Sequence, residues 1–231
     1  MNLSLLQLGD SALPIGGYSH SWGLEAAVER GSVNDPESLE RWVLHWLRYS
    51  FGPMEGVIVG AVARAVSQGQ WKTFCRANEI LWAGLLPPTL RNASREMGEQ
   101  LLNLAECWPW AAPLWDRIPI LSKPDRIGIL SHEMHHAVVF AALASTAGAS
   151  PDEALLVYLH QAALGMIGAG VRVIPIGHTH GQQILARLHP ELVRLGAELI
   201  TRDLETAGSN CPAYEELCHA QQHLYTRLFR S

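Results

Sequence analysis

The stretch from Ser150 to Gly170 limits the fold more than any other part of this chain. It reads Ser-Pro-Asp-Glu and then Ala-Leu-Leu-Val-Tyr-Leu-His-Gln-Ala-Ala-Leu-Gly-Met-Ile-Gly-Ala-Gly. Ser150 can accept a hydrogen bond from the amide of Glu153 while Glu153 reaches back to the amide of Ser150, and Pro151 takes the first helical position, where no amide is needed. A helix start is therefore specified. Beyond it apolar residues run round the whole circumference, the pattern of a helix surrounded by protein or by lipid. Gly165, Gly168 and Gly170 each cost about 1 kcal/mol against alanine, which predicts that neighbouring helices cross close to them. His160, Gln161 and Arg172 interrupt the run and Pro175 follows it, so a buried central helix is preferred over a membrane span of about 20 predominantly apolar residues. Met1 to Leu8 has no basic start and its apolar run stops at Gly9-Asp10, so no secretory signal is read and the expected compartment is the cytoplasm.

With 231 residues, no Ser/Gly-rich linker and no internal repeat, the chain is expected to form one domain over 1–231. Apolar-periodic segments joined by short connections, with no alternating strand pattern, predict an all-α bundle of antiparallel neighbours. Asp35 is expected to cap a helix with Pro36 at its first position and Leu39, Trp42, Val43, Trp46 and Leu47 on its apolar face. Phe51-Gly52-Pro53 is expected to end it. Further helices are read from Val57 to Val66, near Trp71 to Leu85 and near Thr89 to Cys107. Pro109, Pro113, Pro119 and Pro124 exclude a regular helix between Trp108 and Asp125, a loop that Trp108, Trp110 and Trp115 are expected to pin. After the central helix, two more are read from Gln182 to Leu188 and from Pro190 to Thr206, before a tail over 209–231.

Charge and motif content then narrow the function. A formal net charge of -5 with no basic cluster argues against nucleic-acid binding. The only lysines, Lys72 and Lys123, lie outside any Walker A setting, so the chain is not itself a P-loop nucleotidase. The four cysteines form no C-x-x-C pair and read as reduced thiols. Eight tryptophans and 48% hydrophobic content leave apolar surface for partner proteins.

Four short motifs carry possible chemistry. Gly17-Tyr18-Ser19-His20-Ser21 approaches a nucleophile elbow, but its last glycine is replaced by serine and no strand precedes it. His132-Glu133-Met134-His135-His136 matches H-E-x-x-H, in which His132 and His136 on one helical face would bind zinc and Glu133 would act as general base. Against a zinc peptidase, the metzincin glycine and third histidine are missing. His178 and His180 could touch a metal, as could Cys218, His219 and His223 on a second helical face. Arg172, at the end of an apolar helix, calls for a carboxylate or carbonyl partner.

The combination resembles the UreF family of urease accessory proteins. The resemblance is carried by Leu5-Leu6-Gln7-Leu8, by Leu13-Pro14-x-Gly16-Gly17-Tyr18-Ser19-x-Ser21-x-Gly23-Leu24-Glu25, by His135-His136-Ala137-Val138-Val139-Phe140, by Arg172-x-Ile174-Pro175-Ile176-Gly177 with Gly181-Gln182, and by Tyr225-x-Arg227-Leu228-Phe229-Arg230-Ser231. It implies an all-α, non-catalytic protein that dimerises and joins UreD (also called UreH) and the GTPase UreG to load nickel into apo-urease. Nickel would then be handled by the complex and GTP bound by UreG, with no cofactor of this chain's own. The resemblance gives the His132 to His136 cluster a structural role. It also marks Tyr225, Arg227, Leu228, Phe229, Arg230 and Ser231 as the segment that docks on UreD, and Pro14, Gly16, Gly17, Tyr18, Ser19 and Glu25 as a second contact region. Family members often carry glutamine near the position of His178, so His178 and His180 are either local variation or a transient nickel contact.

Overall fold

The computed structural model describes residues 1–117 and 134–231, and among these the chain is helical with no strand. Helices α1 (Leu3–Leu8), α2 (Leu24–Glu29), α3 (Pro36–Trp46), α4 (Val57–Ser67), α5 (Trp71–Gly84), α6 (Pro88–Ala105) and the short α7 (Pro113–Arg117) precede α8 (His136–Thr146), α9 (Pro151–Val173), α10 (His178–Leu199) and α11 (Pro212–Gln221). The starts of α3 and α9 follow the capping chemistry of their sequences. Asp35 accepts from the amide of Ser38 at 2.7 Å, and Ser150 and Glu153 exchange bonds of 3.2 and 2.8 Å. Trp108 is buried and stacks on Trp110 at 4.9 Å, pinning the start of the proline-rich stretch. Contrary to the expectation of no helix there, Pro109 opens a 3-10 turn (Pro109–Ala111) and Pro113 opens α7, first positions where a missing amide costs nothing; from residue 118 to 133 the stretch lies outside the described residues.

The innermost helix is α8 rather than α9. Each residue from His136 to Ser145 is buried, and α8 lies against α4, α6 and α9. Its approach to α6 demands glycine at position 98, because a Cβ there would collide with the carbonyl oxygen of Met134. By length and composition α9 could cross a membrane, yet half of its apolar window is buried, chiefly against α10 and α4. Gly170 does meet a neighbouring helix, at Leu39 of α3. Gly165 and Gly168 do not: a Cβ at either would meet nothing within 4 Å. They border a cavity of about 320 Å³ walled by Leu13, Trp22, Phe51, Leu90 and Tyr158.

Pro53 does not end the helix that begins at Pro36. The chain passes from α3 through a π-helical segment, Leu47–Gly56, directly into α4. Proline can donate no bond to the carbonyl four residues back, and widening the helix relieves the clash of its ring. The amide of Val57 reaches Gly52, five residues earlier, and the carbonyl of Tyr49 accepts instead from the amide of Asn210 at 2.8 Å. The carbonyl of Pro53 accepts from Gly208 at 3.1 Å. Pro190 likewise lies within α10, which is one helix where two were expected. Ala186 and Pro190 are both on the solvent side, where water can take the carbonyl that proline leaves unpaired.

Buried polar groups tie α8 to its neighbours. The amide of His135 donates to Asn78 at 2.9 Å, and its Nδ1 lies 3.1 Å from the Ser94 hydroxyl. Tyr158 donates to the Glu55 carboxylate at 2.5 Å and sits 3.3 Å from Nδ1 of His136. Burial pushes Glu55 up from 4.5 to about 7 and His136 down from 6.5 to about 4. Burial lowers His135 to about 3, helped by the charges of Arg95 and Arg91.

Two measurements test this core. Gly98→Ala should lower stability by about 2 kcal/mol or more through forced displacement of backbone. Gly165→Ala, beside open space, should instead be neutral or add up to about 1 kcal/mol, both read by urea unfolding. The two histidines stay neutral in the fold but are protonated in the unfolded chain below 6.5, so their stabilisation is complete above pH 6.5 and is lost as pH falls towards 4. Glu55 acts in the opposite sense: it keeps its proton in the fold up to about 7, so its contribution is present below 4.5 and lost as pH rises through 7. Stability should therefore peak near neutrality, and Glu55→Gln should flatten the alkaline limb of a urea-midpoint profile while leaving the acid limb in place.

Candidate functional site

Two segments far apart in the chain, 13–25 and 225–231, close on one another. The first is shaped by its glycines. Gly16 and Gly23 both have φ of +85°, in the left-handed region that a side chain disfavours. At Gly23 a Cβ would also lie 2.8 Å from Sγ of Cys218, so α11 rests directly on this backbone. Between them the Ser19 hydroxyl donates to the carbonyl of Gly16 at 2.7 Å, and Ile15 is buried beneath the turn. Trp22 holds φ of +53°, a conformation that costs a non-glycine residue about 1–2 kcal/mol.

The tail supplies what holds that turn. The amides of Ser21 and Trp22 donate to the carbonyl of Ser231 at 2.5 and 3.1 Å, and the amide of Arg230 donates to Ser19 at 2.8 Å. Glu25 accepts from the amides of Leu228 and Phe229 at 2.6 and 3.1 Å, a pair of charge-assisted bonds. Nδ1 of His20 lies 2.6 Å from the Ser231 hydroxyl. Burial, with a contribution from the charge of Arg230, lowers His20 to about 4, so this ring is neutral. Arg172 finds the carbonyl partner its position called for, donating to Tyr18 at 2.7 Å, and its guanidinium lies 4.4 Å from the Phe229 ring centre. Arg230 also pairs with Glu96 of α6 at 3.1 Å.

The arrangement buries Phe229 and Ser231 and turns other side chains outward. Tyr18, Tyr225 and Leu228 are 69%, 103% and 64% exposed, and Arg227 is exposed beside them. The residues singled out as two contact regions thus form one surface, with Pro14, Gly16 and Gly17 shaping its edge. Sequence reading left out Arg172 as the side chain that touches both segments, and His20, Ser21 and Trp22 as the tail's partners. The charge of Arg172 at a helix end was the available signal; nothing in the sequence marks the left-handed Trp22.

The remaining motifs separate. His132 and Glu133 lie outside the described residues, but His135 is extended at the N-cap of α8 and the helix begins only at His136. Of this motif, then, only His136 stands on α8 among the described residues. The elbow reading fails as well, because the Ser19 hydroxyl is committed to Gly16 and His20 faces Ser231. His178 and His180 occupy the first turn of α10 and not a glycine-flanked loop. Two residues apart on a helix, they leave it about 200° apart. Cys218 is buried, with its thiol pushed up to about 12 by that burial, so it shares no face with His219 and His223.

The sequence model of the UreF family matches residues 33–189. The chain is 32% identical to the urease accessory protein UreF of Nostoc sp. over 99% of its own length and 95% of that protein. It is 34% identical to UreF of Microcystis aeruginosa, over 99% and 97% of the two chains, and 30% identical to UreF of Pseudomonas fluorescens, over 99% and 98%. With most of its helices inside the family match and relatives aligned from end to end, the chain belongs to the UreF family of urease accessory proteins.

Proposed function

We propose that this protein is a non-catalytic scaffold that binds UreD (UreH) and the GTPase UreG in the cytoplasm and helps to deliver nickel to apo-urease. The observation that carries the reading is the closed pair of segments with Tyr18, Tyr225, Leu228 and Arg227 projecting from it. Tyrosine and arginine dominate the binding energy of protein interfaces, and here they stand on backbone already fixed by Glu25 and Arg172. Such a surface binds with little ordering cost. Lacking a phosphate-binding loop, the chain leaves GTP to UreG, and the nickel is cargo of the assembly.

Dimerisation has a separate support. Leu3 and Leu6 of α1, Leu156 of α9 and Val193 of α10 are all exposed around a hollow that His160 and His189 also line. No aspartate, glutamate, lysine or arginine lines that hollow. A face of this kind, with apolar projections beside an apolar hollow, suits a second copy related by a two-fold axis.

Co-purification with UreD and UreG, followed by mass measurement of the assembly, tests both surfaces. Leu228→Asp with Tyr225→Ala should abolish co-elution with UreD while leaving the thermal midpoint and the dimer unchanged. Val193→Asp should halve the mass of the isolated protein and spare UreD binding. Retention of UreD by the first variant would sink the docking surface, and a dimeric Val193→Asp protein would sink the dimer face.

A further inference from the structure

We propose that His219 and His223 form a surface site for a divalent transition-metal ion, with one imidazole nitrogen from each as ligand. Their ring centres are 5.4 Å apart and the planes are inclined at 71°, an edge-to-face contact close enough that rotation about the side-chain bonds brings one nitrogen of each to a shared ion. Both are exposed, and neither is committed to the core.

The support beneath them is rigid. Cys218 and Gln221, on the inner side of the same turn, are buried, and Gln221 donates to the Ser21 hydroxyl at 2.7 Å. The turn itself is closed by the amide of Gln222 on the carbonyl of His219 at 3.2 Å and by the amide of His223 on Ala220 at 2.9 Å. Two imidazoles on an anchored backbone lose little freedom when an ion joins them. The site also lies at the C-terminal end of α11, where the helix dipole favours a cation.

An outer partner is in place. The Gln222 side-chain amide lies 3.4 Å from Nδ1 of His219. With its oxygen turned to that atom it would accept Nδ1–H, fix the tautomer and leave the Nε2 lone pair free for the metal. Glu216, one turn earlier on the same face, is engaged by Arg30 at 2.8 Å, so water completes the coordination. Imidazole donors select nickel, copper and zinc over magnesium or calcium, whose preferred ligands are oxygens. The inference stands apart from the scaffold reading, since it uses none of the residues assigned to partner contact.

Titrating the full-length protein with Zn²⁺ and with Ni²⁺ by calorimetry, with Cu²⁺ electron paramagnetic resonance to count nitrogen ligands, tests the site. A component of one ion per chain with two nitrogen ligands is expected. His219→Ala and His223→Ala should each weaken it by more than the about 10-fold that loss of an outer partner costs, at unchanged thermal midpoint. His178→Ala should leave it intact. Zn²⁺ should raise the thermal midpoint of the parent protein but not of the two variants. An isotherm unchanged in His223→Ala, or a Cu²⁺ spectrum with a single nitrogen, would overturn the proposal.

Discussion

Pro53 has no amide to give to the carbonyl of Tyr49, and much of the molecule's surface follows from how that deficit is met. The helix widens into a π segment around the proline, and the amides of Asn210 and Gly208 come to the carbonyls of Tyr49 and Pro53. A single such bond contributes only about 1 kcal/mol net, but leaving a buried carbonyl unpaired costs about 1–3 kcal/mol. The loop after α10 is therefore tied to the middle of the α3–α4 helix. From that tie the chain enters α11. Tyr214 is buried 6.2 Å from Trp42, and Cys218 meets Gly23, which delivers the last residues to the turn at Ser19.

The closure of the two segments then divides opposite charges between different partners. Glu25 spends its carboxylate on two backbone amides of the tail, while Arg172 takes a carbonyl from the first segment and a ring from the tail. Neither neutralises the other: Glu25 fixes tail backbone, while Arg172 fixes the Tyr18 backbone and the Phe229 ring. With the amides of Ser21, Trp22, Leu228, Phe229 and Arg230 all bonded across the closure, the side chains of Tyr18, Tyr225 and Leu228 face outward. That separation of tasks lets a chain terminus, ordinarily the least ordered part of a domain, present a defined surface.

How far the sequence discloses this depends on whether a residue's partner is local. The caps of α3 and α9 are legible because Asp35 and Ser38, or Ser150 and Glu153, are three residues apart and complete each other. Pro53 and Pro190 read as helix breaks because a sequence displays the missing amide and hides the remedy, which is a distant loop in one case and solvent in the other. Glycine misleads in the same way. Gly170 lies against Leu39 as its cost suggested, whereas Gly165 and Gly168 border a cavity. The proposed contact surface was visible as two lists of residues. Its union was not, since it rests on Arg172 and Glu25 acting across most of the chain's length.

Burial sorts the histidines into kinds that composition alone cannot distinguish. His20, His135 and His136 are each nine-tenths or more buried and held neutral by loss of hydration, so their rings work as hydrogen-bonding wedges within the core. His136 looked like a metal ligand in sequence because H-E-x-x-H spacing pairs it with His132. In the fold His135 points to Ser94 and His136 to Tyr158. His219 and His223 looked weaker, with fewer neighbours of the right kind, yet their rings lie edge to face at a helix end open to solvent. Metal chemistry requires donors that share a point and can be reached. Among the described histidine groups read from the sequence, the pair at the end of α11 is the one whose rings are both in contact and open to solvent.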